Sequence, residues 1–186
     1  NNLHIEATAG DGGVTIHSAG NTGNAVVLDA NRSSADAGIG TMLGKWNGTT
    51  IGYMGFFSGA DTTNKDDGVL KFATTPSGGS ATVAMTIDAS QNVAIGNVSP
   101  ATKLHIQQDS ATAALYIDHN ANHNAISIDA ENTTSHSVYV ESDALTTGRM
   151  LYLKSNSSST GTRNLVEIHN DHASATGTTA LKIVND

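Results

Sequence analysis

Cysteine is missing from this chain of 186 residues. Its absence removes disulfides, thiol nucleophiles and cysteine-based zinc sites together. Aromatic residues are scarce: three Phe, one Trp and four Tyr. Such rings normally supply the largest buried areas, so the material for a compact core is thin. No apolar run nears the ~18 residues of a membrane-spanning helix, and no membrane insertion is expected. Positive charge is short as well, with 9 Lys and Arg against 17 Asp and Glu and a formal charge of −8. A nucleic-acid partner would need a basic face, so none is expected. No signal-peptide pattern is legible, and the start at Asn1 without Met leads us to expect a fragment or a processed product.

What the sequence does have is a ladder of short rungs, each reading apolar–any–apolar. They are Leu3-Ile5, Val14-Ile16, Val26-Leu28, then Leu104-Ile106, Leu115-Ile117, Ile126-Ile128, Val138-Val140, Leu151-Leu153, Val166-Ile168 and Leu181-Ile183. The steps between first positions are 11 and 12 in the first set, then 11, 11, 12, 13, 15 and 15 in the second. Repetition at a nearly fixed period marks a stacked, elongated architecture rather than a compact enzyme. Residues i and i+2 of a strand share a face, so each rung sends two aliphatics one way and one residue the other. The odd one out is usually polar, as at His4, Thr15, His105, Ser127, Glu167 and Lys182, or a tyrosine, as at Tyr116, Tyr139 and Tyr152. Turn formers such as Asn120, Asn122, Asn132, Gly148, Asn156 and Gly161 fill the gaps.

A rung of this length is too small to stand alone. Burying two aliphatics stabilises by roughly 3–6 kcal/mol, less than the entropy cost of ordering the residues of one repeat. The rungs must therefore share a buried face. One solution is a single-chain β-solenoid. The other is a homotrimer, in which equivalent rungs surround a three-fold axis. Drift of the spacing from 11 to 15 dephases a solenoid, whereas three identical chains match each level by symmetry. The trimer is the preferred reading. Its axis-facing residues are expected to be Leu104, Ile106, Leu115, Ile117, Ile126, Ile128, Val138, Val140, Leu151, Leu153, Val166, Ile168, Leu181 and Ile183.

Between Val26-Leu28 and Leu104-Ile106 the ladder is interrupted by a stretch with the only Trp and all three Phe. The pattern predicts strands at 38–46, 49–57, 68–74 and 81–88, with an Asn47-Gly48 hairpin bend. The chain is expected to rejoin the ladder through 85–88 and 92–96. The predicted organisation is all-β: shaft repeats over 1–30, an inserted small β domain over 31–90, and shaft repeats over 91–186. Trp46, Tyr53, Phe56 and Phe57 are expected to form the insertion's core. The other reading of Trp46 and Tyr53 is a sugar-stacking surface.

The segment MTIDASQNVAIGNVSPATKLHI, residues 85–106, resembles a motif of bacteriophage tail-fibre and tailspike-like proteins, approximately M-x-I-D-x-x-G-N-V-G-I-G-x-x-x-P-x-x-x-L-H-I. Met85, Ile87, Asp88, Asn92, Val93, Ile95, Gly96, Pro100, Leu104, His105 and Ile106 match it, while Gln91 and Ala94 replace two glycines. The stretch from Gly40 to Thr75 is similar to repeats that precede the motif in such proteins. The resemblance implies a trimeric, elongated β structure on a virion, a β-helical or β-prism shaft. It also implies other tail or appendage proteins and a host glycan or protein receptor as partners, and assembly helped by a C-terminal chaperone that is often self-cleaved. No chaperone domain is legible, so either it was removed or the sequence stops within the shaft. The expected function is a structural fibre supporting host attachment. The alternatives are a bacterial extracellular adhesin or filament subunit and a polysaccharide-degrading tailspike.

Patterns that would carry chemistry are few. His119 and His123 are four apart and His169 and His172 three apart, spacings that pair ligands on a helix but not on strand ends and loops. Residues 38–46 fail the phosphate-loop pattern at Ile39 and Trp46, and Leu43 breaks a dinucleotide fingerprint. The Gly-rich run at 9–13 is read as a turn rather than a calcium loop. Asp61, Asp66, Asp67, Asp88, Asp118 and Asp129 are scattered, with Asp118 and Asp129 at equivalent rung ends. Asn31, Asn47, Asn97, Asn132 and Asn156 begin glycosylation-type triplets that arise by chance in so Asn- and Ser-rich a chain. No catalytic residue, metal or cofactor is expected.

Overall fold

The computed structural model describes residues 14–21, 23–96, 99–170 and 172–184. The rung Leu3-Ile5, His4, the 9–13 turn and Asn97 lie outside them. The chain divides into two units, Asn1–Asp118 and His119–Asp186.

The described part of the first unit is built on one open sheet of six strands in sequence order. They are β1 (Gly38–Trp46), β2 (Thr49–Ser58), β3 (Gly68–Thr74), β4 (Thr82–Ile87), β5 (Val93–Ile95) and β6 (Leu104–Ile106). Neighbours pair antiparallel from β1 to β5, and β6 runs parallel to β5. The bend between β1 and β2 follows from its sequence: Asn47 and Gly48 both take positive φ, 46° and 81°, the geometry that matches strand twist in a two-residue hairpin. The sheet continues past residue 90 through β5 and β6. The described residues contain no helix; the protein is all-β.

Residues opposite one another on paired strands share a face, so the register sorts the side chains. One row across the sheet reads Met42, Met54, Phe72, Met85, Ile95, Ile106. The row beside it reads Gly40, Phe56, Leu70, Ile87, Val93, Leu104. On the opposite face the corresponding row is Thr41, Gly55, Lys71, Thr86, Ala94, His105, next to Leu43, Tyr53, Ala73 and Val83. Burial is the reverse of what size would suggest. Ala73 and Ala94 are the buried hydrophobic residues among those described, and Thr86 is 9% exposed. All of them lie on the small-residue face, where the Phe57 ring reaches over Gly55. The two rows of large side chains contain no buried residue. Leu28 gives the second row partial cover on β1: it sits so close over Gly40 that a Cβ there would lie 2.6 Å from it.

In the second unit every described residue is exposed, and none is in a strand or helix. Of the described rungs, only Leu104-Ile106 forms a strand, because β5 offers it a partner edge. The strand expectation for the others is not met within one chain: a two-aliphatic rung without a neighbouring strand has no hydrogen-bonding ladder to join.

At Gln91, where the tail-fibre motif carries glycine, the backbone keeps a left-handed φ of 61°. A Cβ strains that conformation by about 1 kcal/mol. Gln91→Gly is expected to raise stability by about 1 kcal/mol less the entropy cost of glycine in the unfolded chain. A raised urea midpoint at unchanged m-value checks this.

Candidate functional site

The expected axis residues fall into two settings. Leu104 and Ile106 end the two large-residue rows on β6, Leu104 exposed and Ile106 half-buried. Leu115, Ile117, Ile126, Ile128, Val138, Val140, Leu151, Leu153, Val166, Ile168, Leu181 and Ile183 are all exposed, from 44% at Ile117 to 84% at Ile183. A scattered exposed Leu is ordinary, but a whole ladder of paired aliphatics without cover is not. Val14, Ile16, Val26 and Leu28, in the first set of rungs, are exposed too.

Trp46 and Tyr53 do not form one platform. Trp46 pairs with Thr49 beside the hairpin bend, beyond the register shift between Gly44 and Lys45, whereas Tyr53 pairs with Leu43 further along the strands. Trp46 is 77% exposed, and Phe56 also lies open. The expected aromatic core is therefore not assembled. Only Tyr53 and Phe57 meet, with ring centroids 6.4 Å apart, and the Lys71 ammonium lies 4.7 Å from the Phe57 centroid. Phe57 leaves Phe56 because neighbours on a strand point to opposite faces. That alternation, repeated at Met54-Phe56, Leu70-Phe72, Met85-Ile87, Val93-Ile95 and Leu104-Ile106, was the sequence signal for the large-residue face.

Polar groups gather around two clefts near Ser58. The first, about 460 Å³, is lined by Asp36, Ser58, Val69, Lys71, Thr86, Asp88 and Pro100 among others. Lys71 is ion-paired there with Asp36. The second, about 360 Å³, includes Asp29, Arg32, Phe57, Asp61, Lys65 and Asp67. The carboxylates serve the backbone. Asp67 accepts from the amides of Ala60 and Asp61 at 2.8 and 3.1 Å. Asp61 accepts from the amides of Thr63 and Asn64, both at 2.9 Å, and from the Asn64 side chain at 2.8 Å. The Asn64 amide foremost holds the Asp61 carboxyl below the ordinary value of 3.8. Asp88 Oδ1 accepts from the amides of Ser90 and Asn92 at 2.9 Å, closing the turn in which Gln91 is left-handed. The Asn92 amide is the main cause of its lowered pKa, with Lys103 adding a minor pull. A glycosidase acid needs the opposite shift, so neither Asp61 nor Asp88 is suited to that role.

The histidines are dispersed. Among the described residues no group of three His, Asp or Glu could hold a metal ion. His105 shares the small-residue face with Thr86, its Nδ1 3.4 Å from the Ser99 carbonyl. His136 stacks obliquely near Tyr139 at 5.5 Å. Among the described residues no helix is long and apolar enough to cross a membrane.

The Asp88 turn has a pH signature. Its folded pKa is depressed, so its stabilisation is fully present above the ordinary carboxylate value and is lost as pH falls through the folded one. Urea midpoints of the parent and Asp88→Asn are expected to differ at neutral pH and to converge as the solution is acidified below 3.8. A gap that stays constant down that range would contradict the role given to Asp88.

No protein-family model and no curated protein matches this chain.

Proposed function

We propose that the chain is a structural subunit of a fibre: a homotrimeric β shaft, with one wider β domain, in a bacteriophage tail fibre or comparable appendage. Its work is mechanical. Stacked three-chain levels hold a host-attachment element away from the particle. The Ser-, Thr- and Asn-rich segments between rungs keep the outside hydrated, and an excess of negative charge discourages stray association. Three chains closing about an axis leave no free strand edges.

The observation that carries this reading is the exposure of the rung aliphatics from Leu115 to Ile183. A chain that exposes its periodic apolar residues while burying almost none has its interior elsewhere, and symmetric copies of the same rungs are the simplest source. The resemblance of residues 40–75 and 85–106 to tail-fibre sequences supplies the setting on a virion.

Ile128→Asp tests it. Three carboxylates at one level of a dry axis would repel one another and lack counter-charges. The variant is expected to lose assembly in sedimentation-velocity runs that show the parent associated. A variant that sediments like an associated parent would contradict the placement of Ile128 on an axis.

A further inference from the structure

The large-residue face of the sheet poses a problem separate from the rungs. One row of large apolar side chains crosses all six strands and the row beside it crosses five, with Gly40 on β1; their members are half-buried or exposed, and none is buried. Neither row contains a charged or hydrogen-bonding side chain. We infer that this face docks against the same face of further copies of the chain, and that the sheet thereby sets the register in which the rungs assemble. The inference rests on the fibre reading for the rungs, but the docking itself does not.

Size bounds the occupant. Six strands at about 4.8 Å spacing, two side chains deep, give a patch of roughly 400 Å². That is within the range of the largest, often functional, patch on a typical monomer and about half of the ~800 Å² that each partner contributes to a stable interface. Chemistry narrows it further. A nucleic acid, a sugar or a charged peptide would find no polar partner on either row. The strands' backbone groups are paired within the sheet, so an incoming strand cannot add to the face itself. Copies carrying a formal charge of −8 each repel, and a charge-free face is where they can approach at least cost. Like rows meeting like rows satisfy a cyclic assembly, and Met42, Met54 and Met85 supply adaptable side chains for such packing.

The register role follows from repetition. Each rung is two aliphatics, and one rung resembles the next, so three chains could pair one level out of step at little cost. The sheet has no such ambiguity. Its rows occur once in the chain, and its strands are hydrogen-bonded without help from another copy. A face formed first, and unique, aligns the repeats that follow it.

The chain has no cysteine, so introduced thiols report cleanly. Ile95→Cys and Met42→Cys place one on the large-residue face, and Thr41→Cys places one on the other. With a bis-maleimide spanning about 10 Å, the separation of packed sheets, the first two are expected to join copies and the third is not. In an Ile128→Cys background, which joins copies only when rungs are level, Phe72→Glu is expected to lower the cross-linked yield severalfold while far-UV circular dichroism keeps its β signal. Thr41→Glu should leave that yield unchanged. Associated chains without cross-links through residues 42 and 95 would overturn the inference and leave the fibre reading standing. A parent chain that stays single would overturn both. Cross-links through the sheet with none through Ile128→Cys would uphold the docking but overturn the register role and the shaft. Should Phe72→Glu fail to fold, the thiol pattern on the two faces still decides the docking.

Discussion

Among the described residues the chain leaves most of its large aliphatic side chains unsheltered, and the rest of the structure is read against that constraint. In an ordinary monomer the large apolar residues are inside and the small ones fill gaps. Here Ala73 and Ala94 are covered while Phe56, Ile95, Leu104 and the rung aliphatics from Leu115 to Ile183 lie open. Apolar surface in contact with water is unfavourable by roughly 25 cal/mol per Å². On the proposed reading, regular spacing along the chain and continuous rows across the sheet turn that cost into a directed drive toward association.

The sheet and the rungs meet the constraint differently. The sheet has enough internal hydrogen bonding to take shape within one chain. Its hairpin bend is fixed by Asn47-Gly48, and its loops are pinned by Asp61, Asp67 and Asp88 accepting backbone amides. The rungs have no such local support, and the described part of the second unit lacks regular structure. A short rung gains a ladder only when another strand lies beside it, as Leu104-Ile106 does against β5. On the proposed reading, symmetry supplies that neighbour to the others.

The strands of the sheet were legible in the sequence because their signals are local. The predicted 38–46 and 68–74 coincide with β1 and β3, β2 runs one residue further to Ser58, and β4 is one residue shorter at each end than 81–88. Alternation and Asn-Gly chemistry act over a few residues, so they survive without tertiary knowledge. Which residues share a face did not emerge as readily. Irregularities between Gly38 and Gly40, Gly44 and Lys45, and Phe72 and Ala73 shift the register. Trp46 looked like core because it is close in sequence to Tyr53, Phe56 and Phe57. Pairing puts it opposite Thr49 at the hairpin bend, where it lies open, a fact held in the register rather than in composition. The glycine replaced by Gln91 was visible as a departure from the motif, and the chain keeps the left-handed turn regardless, because Asp88 binds it from both ends.

The most direct test of the central claim is the mass of the native particle, read by light scattering over a range of dilutions. Sheltering by symmetric copies predicts a value about three times the 19.1 kDa of one chain, with rung amides protected from hydrogen exchange. A particle of single-chain mass whose rung amides are nonetheless protected would show that one polypeptide encloses its own aliphatics, and would contradict the account.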